Sequence, residues 1–343
     1  MKAVTIRAHG GPEVVRVEEV ETPTASPEEV VLQVRAAALN HLDLWVRLGR
    51  PGMDLAFPHV LGSDAAGIVA EVGDGVQGLA PGDEVILNPG LPCGRCEACR
   101  RGQQSECERY TIVGLGRWGT FAERLAVPAD RLRPKPAHLD WHQAAALPLA
   151  HLTAWRMLMT RARLGAGETV LIHGIGGGVA LAALQLAKLA GAWAIVTSSS
   201  DEKLRRADRL GADATVNYRA EPDVAKAVVG ATGGRGVDVV VDTVGAATWP
   251  VDFAAVRRGG RIVNCGTTSG AEATTPLHAL YWKQVTVLGS TMGSDEDFRR
   301  MLAAVEAGAL APVVHRTWPL EEAPAALACM EVGEQFGKIV LEI

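Results

Sequence analysis

The chain has 343 residues, 48% hydrophobic and 21% charged, with a formal net charge of −5. Its length predicts two domains, since a domain usually holds roughly 100–200 residues, and the slightly acidic balance excludes nucleic acid as the main partner, because phosphate binding needs a clear basic excess. No apolar run approaches the roughly 18 residues of a spanning helix, and the opening MKAVTIRAHGG lacks the apolar stretch of a secretory leader, so the expectation is a cytoplasmic protein with no membrane partner.

Up to about residue 127, short β-like runs alternate with Gly/Pro punctuation: AVTIRA, EEVVLQVRAAAL, GIVAEVG and DEVILNP. Turn residues bound each run, which predicts an antiparallel, barrel-like β domain. Within it, Cys93, Cys96, Cys99 and Cys107 follow the spacing C-x2-C-x2-C-x7-C. Four thiolates complete a tetrahedral zinc site and leave no position for water or substrate, so such a site is structural. Two disulfides or an iron–sulfur cluster would also use four cysteines.

Strands and helices then alternate. ETVLIH, AWAIVT, ATVNY, VDVVVDTV, RIVNCG and VTVLGS read as strands, with helices at GGVALAALQLAKLA and DEKLRRADRL. That grammar predicts a doubly wound parallel sheet in an α/β chain. The tail carries an amphipathic helix, DFRRMLAAVEAG, and ends in the strand-like GKIVLEI. A lone terminal strand needs a partner, most simply in the N-terminal β domain. The expected organisation is 1–127 completed by 292–343, with 128–291 as the second domain.

The turn HGIGGGV (173–179) joins a strand to a helix. Glycines there let the backbone approach a pyrophosphate, and the helix N-terminus offers free N–H groups. Gly174, Gly176, Gly177, Gly178 and Val179 are therefore expected to bind a dinucleotide. The next strand ends Thr197-Ser198-Ser199-Ser200, with no acid at its tip for the ribose hydroxyls. Ser198, Ser199 and Lys203 suit a 2′-phosphate, so NADP(H) is favoured over NAD(H), with Asp201 as the counter-argument unless it caps the helix. Gly245, Gly266, Thr267 and Ser290 end later strands, where ligands of such sheets bind.

Taken together, GSDAAGIVAEVG (62–73), PGDEV (81–85), the four cysteines, LPLAHLTAW (147–155), HGIGGGV and GKIVL (337–341) resemble the medium-chain dehydrogenase/reductase superfamily, the zinc-type alcohol dehydrogenases and quinone reductases. The resemblance covers essentially the whole chain. It implies a GroES-like β-barrel domain, a Rossmann domain, one structural zinc per chain in the cysteine loop, and hydride transfer from a nicotinamide. It also places Tyr218 on the adenine side and Thr153 near the nicotinamide. The departures bear on mechanism. The family's three catalytic-zinc ligands, Cys, His and Cys, fall on Asn40, Ser63 and Leu149, and the Glu beside the His falls on Asp64. Loss of that zinc removes the Lewis acid that acidifies an alcohol. Asn40, His41, Asp43, Ser63 and Thr153 are the expected catalytic set, acting on a small-molecule quinone, enone or related carbonyl. Asp64 is expected to bond backbone or Ser63, and Lys338 is open between a cofactor phosphate and solvent. The alternatives are an alcohol or aldehyde dehydrogenase with a non-standard site, including a metal held by His41, His59, His151 and Asp64, and a non-catalytic NADPH-binding protein. The β-branched VTVLGS strand predicts a homodimer or homotetramer.

Overall fold

The computed structural model describes residues 1–50 and 52–343. The chain forms two compact units, Met1–Ala150 with Ser294–Ile343, and His151–Gly293.

The first unit opens with β1 (Lys2–Ile6), β2 (Val15–Glu19) and β3 (Glu29–Ala38), followed by α1 (His41–Leu48). Next come β4 (His59–Val60), β5 (Asp64–Val72) and β6 (Glu84–Leu87). The short strands β7 (Gly90–Leu91) and β8 (Thr111–Ile112) bracket the cysteine loop and its single turn α2 (Glu97–Arg100). Then follow β9 (Arg124–Pro128), β10 (Leu132–Pro134), α3 (Trp141–Ala146) and α4 (Pro148–Trp155). β3 is the hub, pairing antiparallel with both β5 and β9. Its Leu32 and Val34 bury their side chains with Val69, Val85, Leu87, Phe121 and Leu125. Burying an aliphatic or aromatic side chain stabilises by about 1.5–3 kcal/mol, so this cluster holds the unit together. Residues 128–150, beyond the limit drawn from sequence, belong to this unit. The Asp140 carboxylate caps α3 by accepting the Gln143 N–H at 2.7 Å, and α3 packs on β3 and β5.

The second unit is a six-stranded, all-parallel sheet. Its strands are β11 (Thr169–Ile172), β12 (Trp193–Ser198), β13 (Ala214–Asn217), β14 (Val237–Asp242), β15 (Val256–Asn264) and β16 (Thr286–Gly289). The spatial order is β13-β12-β11-β14-β15-β16. The central strands, TVLI and VDVVVD, are almost wholly buried, as a sheet covered on both faces requires. Helices α5 (Gly178–Leu189), α6 (Asp201–Arg209), α7 (Val224–Ala231), α8 (Trp249–Ala255) and α9 (Leu277–Trp282) alternate with the strands. The order reverses between β11 and β14, the switch point where such sheets bind ligands.

The chain then returns to the first unit through α10 (Asp295–Glu306), β17 (Val314–Pro319), α11 (Ala323–Glu331) and β18 (Lys338–Glu342). β18 lies between β17, to which it is parallel, and β3, to which it is antiparallel. Among the described residues no helix is long and apolar enough to cross a membrane.

Gly337 sets the entry to β18. Its φ is +111°, and a Cβ there would meet the Val313 carbonyl oxygen at 2.3 Å. That oxygen also accepts the Lys338 N–H at 2.8 Å, so it has no freedom to retreat. Gly337→Ala should therefore destabilise by about 2 kcal/mol or more, read as a fall of several degrees in the thermal midpoint; an unchanged midpoint would contradict the steric argument.

Candidate functional site

In the first unit, sheet register gathers four polar side chains. Ala38 pairs with Asp64 at the start of β5, and with Val340 in β18. Continued past Ala38, the second register brings Lys338 to Asn40. The Lys338 ammonium donates to Asn40 Oδ1 at 2.5 Å and to Asp64 Oδ2 at 3.0 Å. Asn40 Nδ2 also donates to Asp64 Oδ2, at 2.9 Å, and the Leu149 N–H donates to Asp64 Oδ1 at 2.8 Å. Both carboxylate oxygens are thus satisfied, as a fully buried Asp64 requires. Asp43 accepts the Asn40 N–H at 2.7 Å, fixing the first turn of α1. Burial nevertheless pushes the Asp43 carboxyl up to about 7, against the pull of the Asn40 amide and Lys338.

Other residues expected here lie apart from this knot. Ser63 is fully buried, and its hydroxyl has no partner among the described residues, so it is not the partner of Asp64. The His41 ring stands edge-on to Trp45, with centroids 5.7 Å apart, while Arg50 covers the Trp45 face at 3.8 Å. Desolvation and the Arg50 charge both lower the His41 pKa. His59 Nε2 is within 3.0 Å of the Gly114 carbonyl oxygen. Arg47, buried in α1, makes a two-pronged pair with Glu331 at 2.8 and 3.1 Å and ties α1 to α11.

The sulfurs of Cys93, Cys96, Cys99 and Cys107 lie within 4.8 Å of one another, and all four are free thiols. Cys96 and Cys99 are 3.5 Å apart, and Cys93 and Cys99 4.0 Å. Zn–S bonds of about 2.3 Å in a tetrahedron give sulfur separations of roughly 3.8 Å, so the donor set fits zinc. The backbone N–H groups of Cys93 and Arg109 point at Cys107 Sγ, each at 3.4 Å. The thiols do not ionise alike: the Arg95 amide draws Cys93 down to about 5, while desolvation pushes Cys99 up to about 12. Among the described residues this is the one cluster of three or more Cys, His, Asp or Glu side chains at metal-binding separation. A second such set from His41, His59, His151 and Asp64 is therefore not formed.

In the second unit, β11 runs into His173 and the glycine turn. Gly174 and Gly176 have φ of +66° and +124°, and Gly177, extended, caps α5. The first amides of α5, from Gly178 and Val179 onward, have no acceptor within the helix and offer N–H groups and a positive dipole end to a pyrophosphate. A buried relay braces the turn. The Gly174 N–H donates to Thr197 Oγ1 at 3.3 Å, His173 Nδ1 lies 3.2 Å from that hydroxyl, and His173 Nε2 lies 2.9 Å from Asp252 Oδ1. Burial pushes Asp252 up to about 7, only partly offset by His173.

Asp242 ends β14 and accepts the amides of Val244 and Gly245 at 2.7 and 3.0 Å. Gly245 has φ +92°, and a Cβ there would sit 3.1 Å from Thr267 Cα. A Cβ on Gly266 would strike the Thr243 carbonyl oxygen at 2.4 Å. The Ser290 N–H donates to the Asn264 carbonyl at 2.9 Å. Gly245, Gly266, Thr267 and Ser290 thus share the carboxyl-end rim of the sheet. Thr153, also in this unit, points its hydroxyl at Met292 Sδ, 3.9 Å away.

At the tip of β12, Ser198 Oγ accepts the Ser200 N–H at 3.2 Å, and Ser200 Oγ accepts the Lys203 N–H at 3.4 Å. Ser200, not Asp201, is therefore the N-cap of α6. Asp201 instead accepts from Asn217 Nδ2 at 2.6 Å. The Tyr218 N–H donates to the Ser198 carbonyl at 3.0 Å, which carries the half-exposed Tyr218 to the same strand tip as Ser199.

The Leu149 amide on Asp64 is the backbone bond expected for that residue, whereas sequence reading missed two features: the Lys338 contacts and the His173–Asp252 pair. Only the last left a signal, a histidine at the end of an apolar strand.

Two family profiles match the chain: the alcohol dehydrogenase GroES-like domain over residues 26–137, and the zinc-binding dehydrogenase over residues 178–307. A zinc-type alcohol dehydrogenase-like protein of Schizosaccharomyces pombe is 34% identical, over 95% of this chain and 94% of its own. Acryloyl-coenzyme A reductase of Metallosphaera sedula is 32% identical, over 99% of each chain. Quinone oxidoreductase of Rattus norvegicus is 30% identical, over 99% and 97%. The crystal structure of an NAD-dependent alcohol dehydrogenase is 48% identical, with a TM-score of 0.96 over 100% of both chains.

The raised Asp252 pKa has a stability signature. An acid raised from its unfolded value of about 3.9 to about 7 binds more protons in the fold than in the unfolded chain across that window. Its contribution is complete below about pH 4 and is lost as pH rises through 7, by at most about 4 kcal/mol. Asp252→Asn removes this titration. The thermal midpoint of the variant, relative to the parent, should therefore climb between pH 4 and 7; a difference that stays flat would contradict the shift.

Proposed function

The chain belongs to the zinc-type alcohol dehydrogenase branch of the medium-chain dehydrogenase/reductase superfamily and is an NAD(P)-dependent oxidoreductase; from that premise, we propose that it reduces a quinone, an enone or a related conjugated carbonyl by hydride transfer without a catalytic zinc. One observation carries this reading. Where the family resemblance puts a metal and its ligands, Asn40, Ser63 and Leu149 offer neither thiolate nor imidazole, and both oxygens of Asp64 are bonded to N–H donors. The Lys338 ammonium already supplies the positive charge there.

Without a Lewis acid, a plain alcohol is not made acidic enough to give up hydride readily. A conjugated acceptor spreads the incoming charge, and ordinary hydrogen-bond donors can meet it. Bound reduced nicotinamide supplies the hydride. The amides at the start of α5 hold its pyrophosphate, and the rim of Gly245, Gly266, Thr267 and Ser290 lines its path. The names of the acryloyl-coenzyme A reductase and quinone oxidoreductase relatives support this acceptor class. A second reading, alcohol oxidation, is favoured by the 48% identical NAD-dependent alcohol dehydrogenase.

Three further parts complete the proposal. The four cysteines hold one structural zinc. Ser198, Ser199 and Lys203 receive a 2′-phosphate, with Tyr218 on the adenine side, so NADP(H) is preferred, although that same neighbour's name points to NAD. The exposed Leu277, Tyr281, Trp282 and Val287, beside the open edge of β16, form a homodimer contact.

Metal analysis should find one zinc per chain, with NAD(P)H oxidised by benzoquinone and cyclohex-2-enone at least tenfold faster than NAD(P)+ is reduced by simple alcohols. Two zincs with fast alcohol oxidation would establish the second reading, and tight cofactor binding with no turnover would mean a non-catalytic protein. Ser199→Asp should weaken NADPH binding at least tenfold more than NADH binding; equal effects would remove the phosphate pocket.

A further inference from the structure

We propose that the metal of the cysteine loop and the start of α10 hold each other in place through Arg131 and Asp295: the clamp slows loss of the metal, and the metal orders the segment by which the chain re-enters the first unit. The inference rests on the reading that the four cysteines hold one structural zinc, and every residue in it belongs to the first unit.

Strand register puts Arg131 at the mouth of the cysteine loop. β10 pairs with β6 so that Leu132 faces Leu87, and the Asn88 N–H donates to the Arg131 carbonyl at 2.8 Å. The loop leaves the sheet through Asn88, Pro89 and Gly90 on its way to Cys93. The buried Arg131 grips two carboxylates. Its Nε and Nη2 donate to Asp130 at 3.0 and 2.8 Å, and its Nη1 and Nη2 to Asp295 at 2.8 and 3.2 Å. Nη1 also reaches the Gly90 carbonyl at 3.5 Å. A buried guanidinium is tolerated when its fork of donors is used and its charge is paired. Burial works against the charge, yet Asp130 and Asp295 hold the Arg131 pKa above its ordinary value.

Asp295 is the first residue of α10, and the loop holds it from both arms. Asn88 Nδ2, ahead of Cys93, donates to Asp295 Oδ1 at 3.4 Å. Gln104, between Cys99 and Cys107, accepts the Asp295 N–H at 3.3 Å, an amide with no acceptor inside the helix. Ser294 Oγ caps the same turn by accepting the Asp297 N–H at 3.1 Å. A metal held by thiolates of one loop is lost when that loop opens. Fixing both arms to a common residue removes open conformations from the competing ensemble, which is the gain of preorganisation. The coupling is reciprocal: whatever the clamp adds to metal affinity, the metal adds to the order at the start of α10.

The obvious alternative is that Arg131 and Asp295 form a purely local ion pair. Zinc release from the loaded protein, followed with the chromogenic chelator pyridylazoresorcinol, should quicken roughly tenfold in Asp295→Asn and roughly threefold in Gln104→Ala. The rise in thermal midpoint that zinc confers should also shrink in both variants. A local pair would lower the midpoints of the zinc-loaded and zinc-free proteins alike; release at the parental rate with an unchanged zinc increment would overturn the proposal. If Asp295→Asn does not fold, the unmodified protein decides. Removing zinc with EDTA should speed amide exchange at Asp295–Phe298 roughly tenfold and leave α11 of the same unit unchanged. No change at Asp295–Phe298, or an equal change in α11, would overturn the proposal. A parent protein without zinc would overturn the structural-zinc reading and this one together, whereas a zinc-loaded parent whose variants release metal at its own rate would overturn this one alone.

Discussion

The pairing of β18 with β3 is the constraint on which the first unit depends. It brings Lys338 to Asn40, a residue 298 positions earlier, and encloses both with Asp64. An ion pair removed from water this completely is tolerated only when each partner's remaining hydrogen-bonding capacity is used. Asp64 meets that condition through Asn40 and the main chain of Leu149. The same few bonds therefore fix the end of β3, the cap of α1, the start of β5 and the entry to α4. Gly337 belongs to the constraint as well, since no other residue lets the chain pass Val313 and begin β18 at Lys338.

The second unit is held by other means. Its sheet is parallel and covered on both faces, and its buried polar groups include His173, Thr197, Ser198 and Asp242 at the carboxyl ends of the strands and Asp238 near the amino end of β14. Asp242 shapes the turn after β14 by accepting two amides, and the His173–Thr197–Asp252 relay shapes the turn after β11. These groups leave the first amides of α5 free for a ligand. The two units thus use polar groups differently: the first buries an ion pair among side chains, and the second uses side chains to shape turns of the main chain.

Features carried by short spacings were legible. The four cysteines lie within fifteen residues, and their thiols converge because a single loop closes on itself. The glycine turn is equally local, a strand, a set of positive-φ glycines and a helix start. The strands of the parallel sheet followed from apolar runs and their punctuation, although β15 begins at Val256, five residues before the run RIVNCG. The cap of α6 shows the limit of this reading: Ser200 and Asp201 are both good capping residues, and only the backbone places the serine at the cap while Asp201 turns to Asn217. Ser63 shows another. Its position in the motif was readable, but its complete burial beside an occupied Asp64 was not.

The sequence by itself determined the family, the two kinds of sheet, the dinucleotide turn, the cysteine cluster and the absence of the usual metal ligands at Asn40, Ser63 and Leu149. Each of these is written in residue type and local order. Only the tertiary structure decided what stands in their place. Lys338 has no local signal, because a lysine before an apolar strand is ordinarily solvated. It becomes a buried cation through strand register alone, when β18 is laid against β3 and its first side chain is turned onto Asn40 and Asp64.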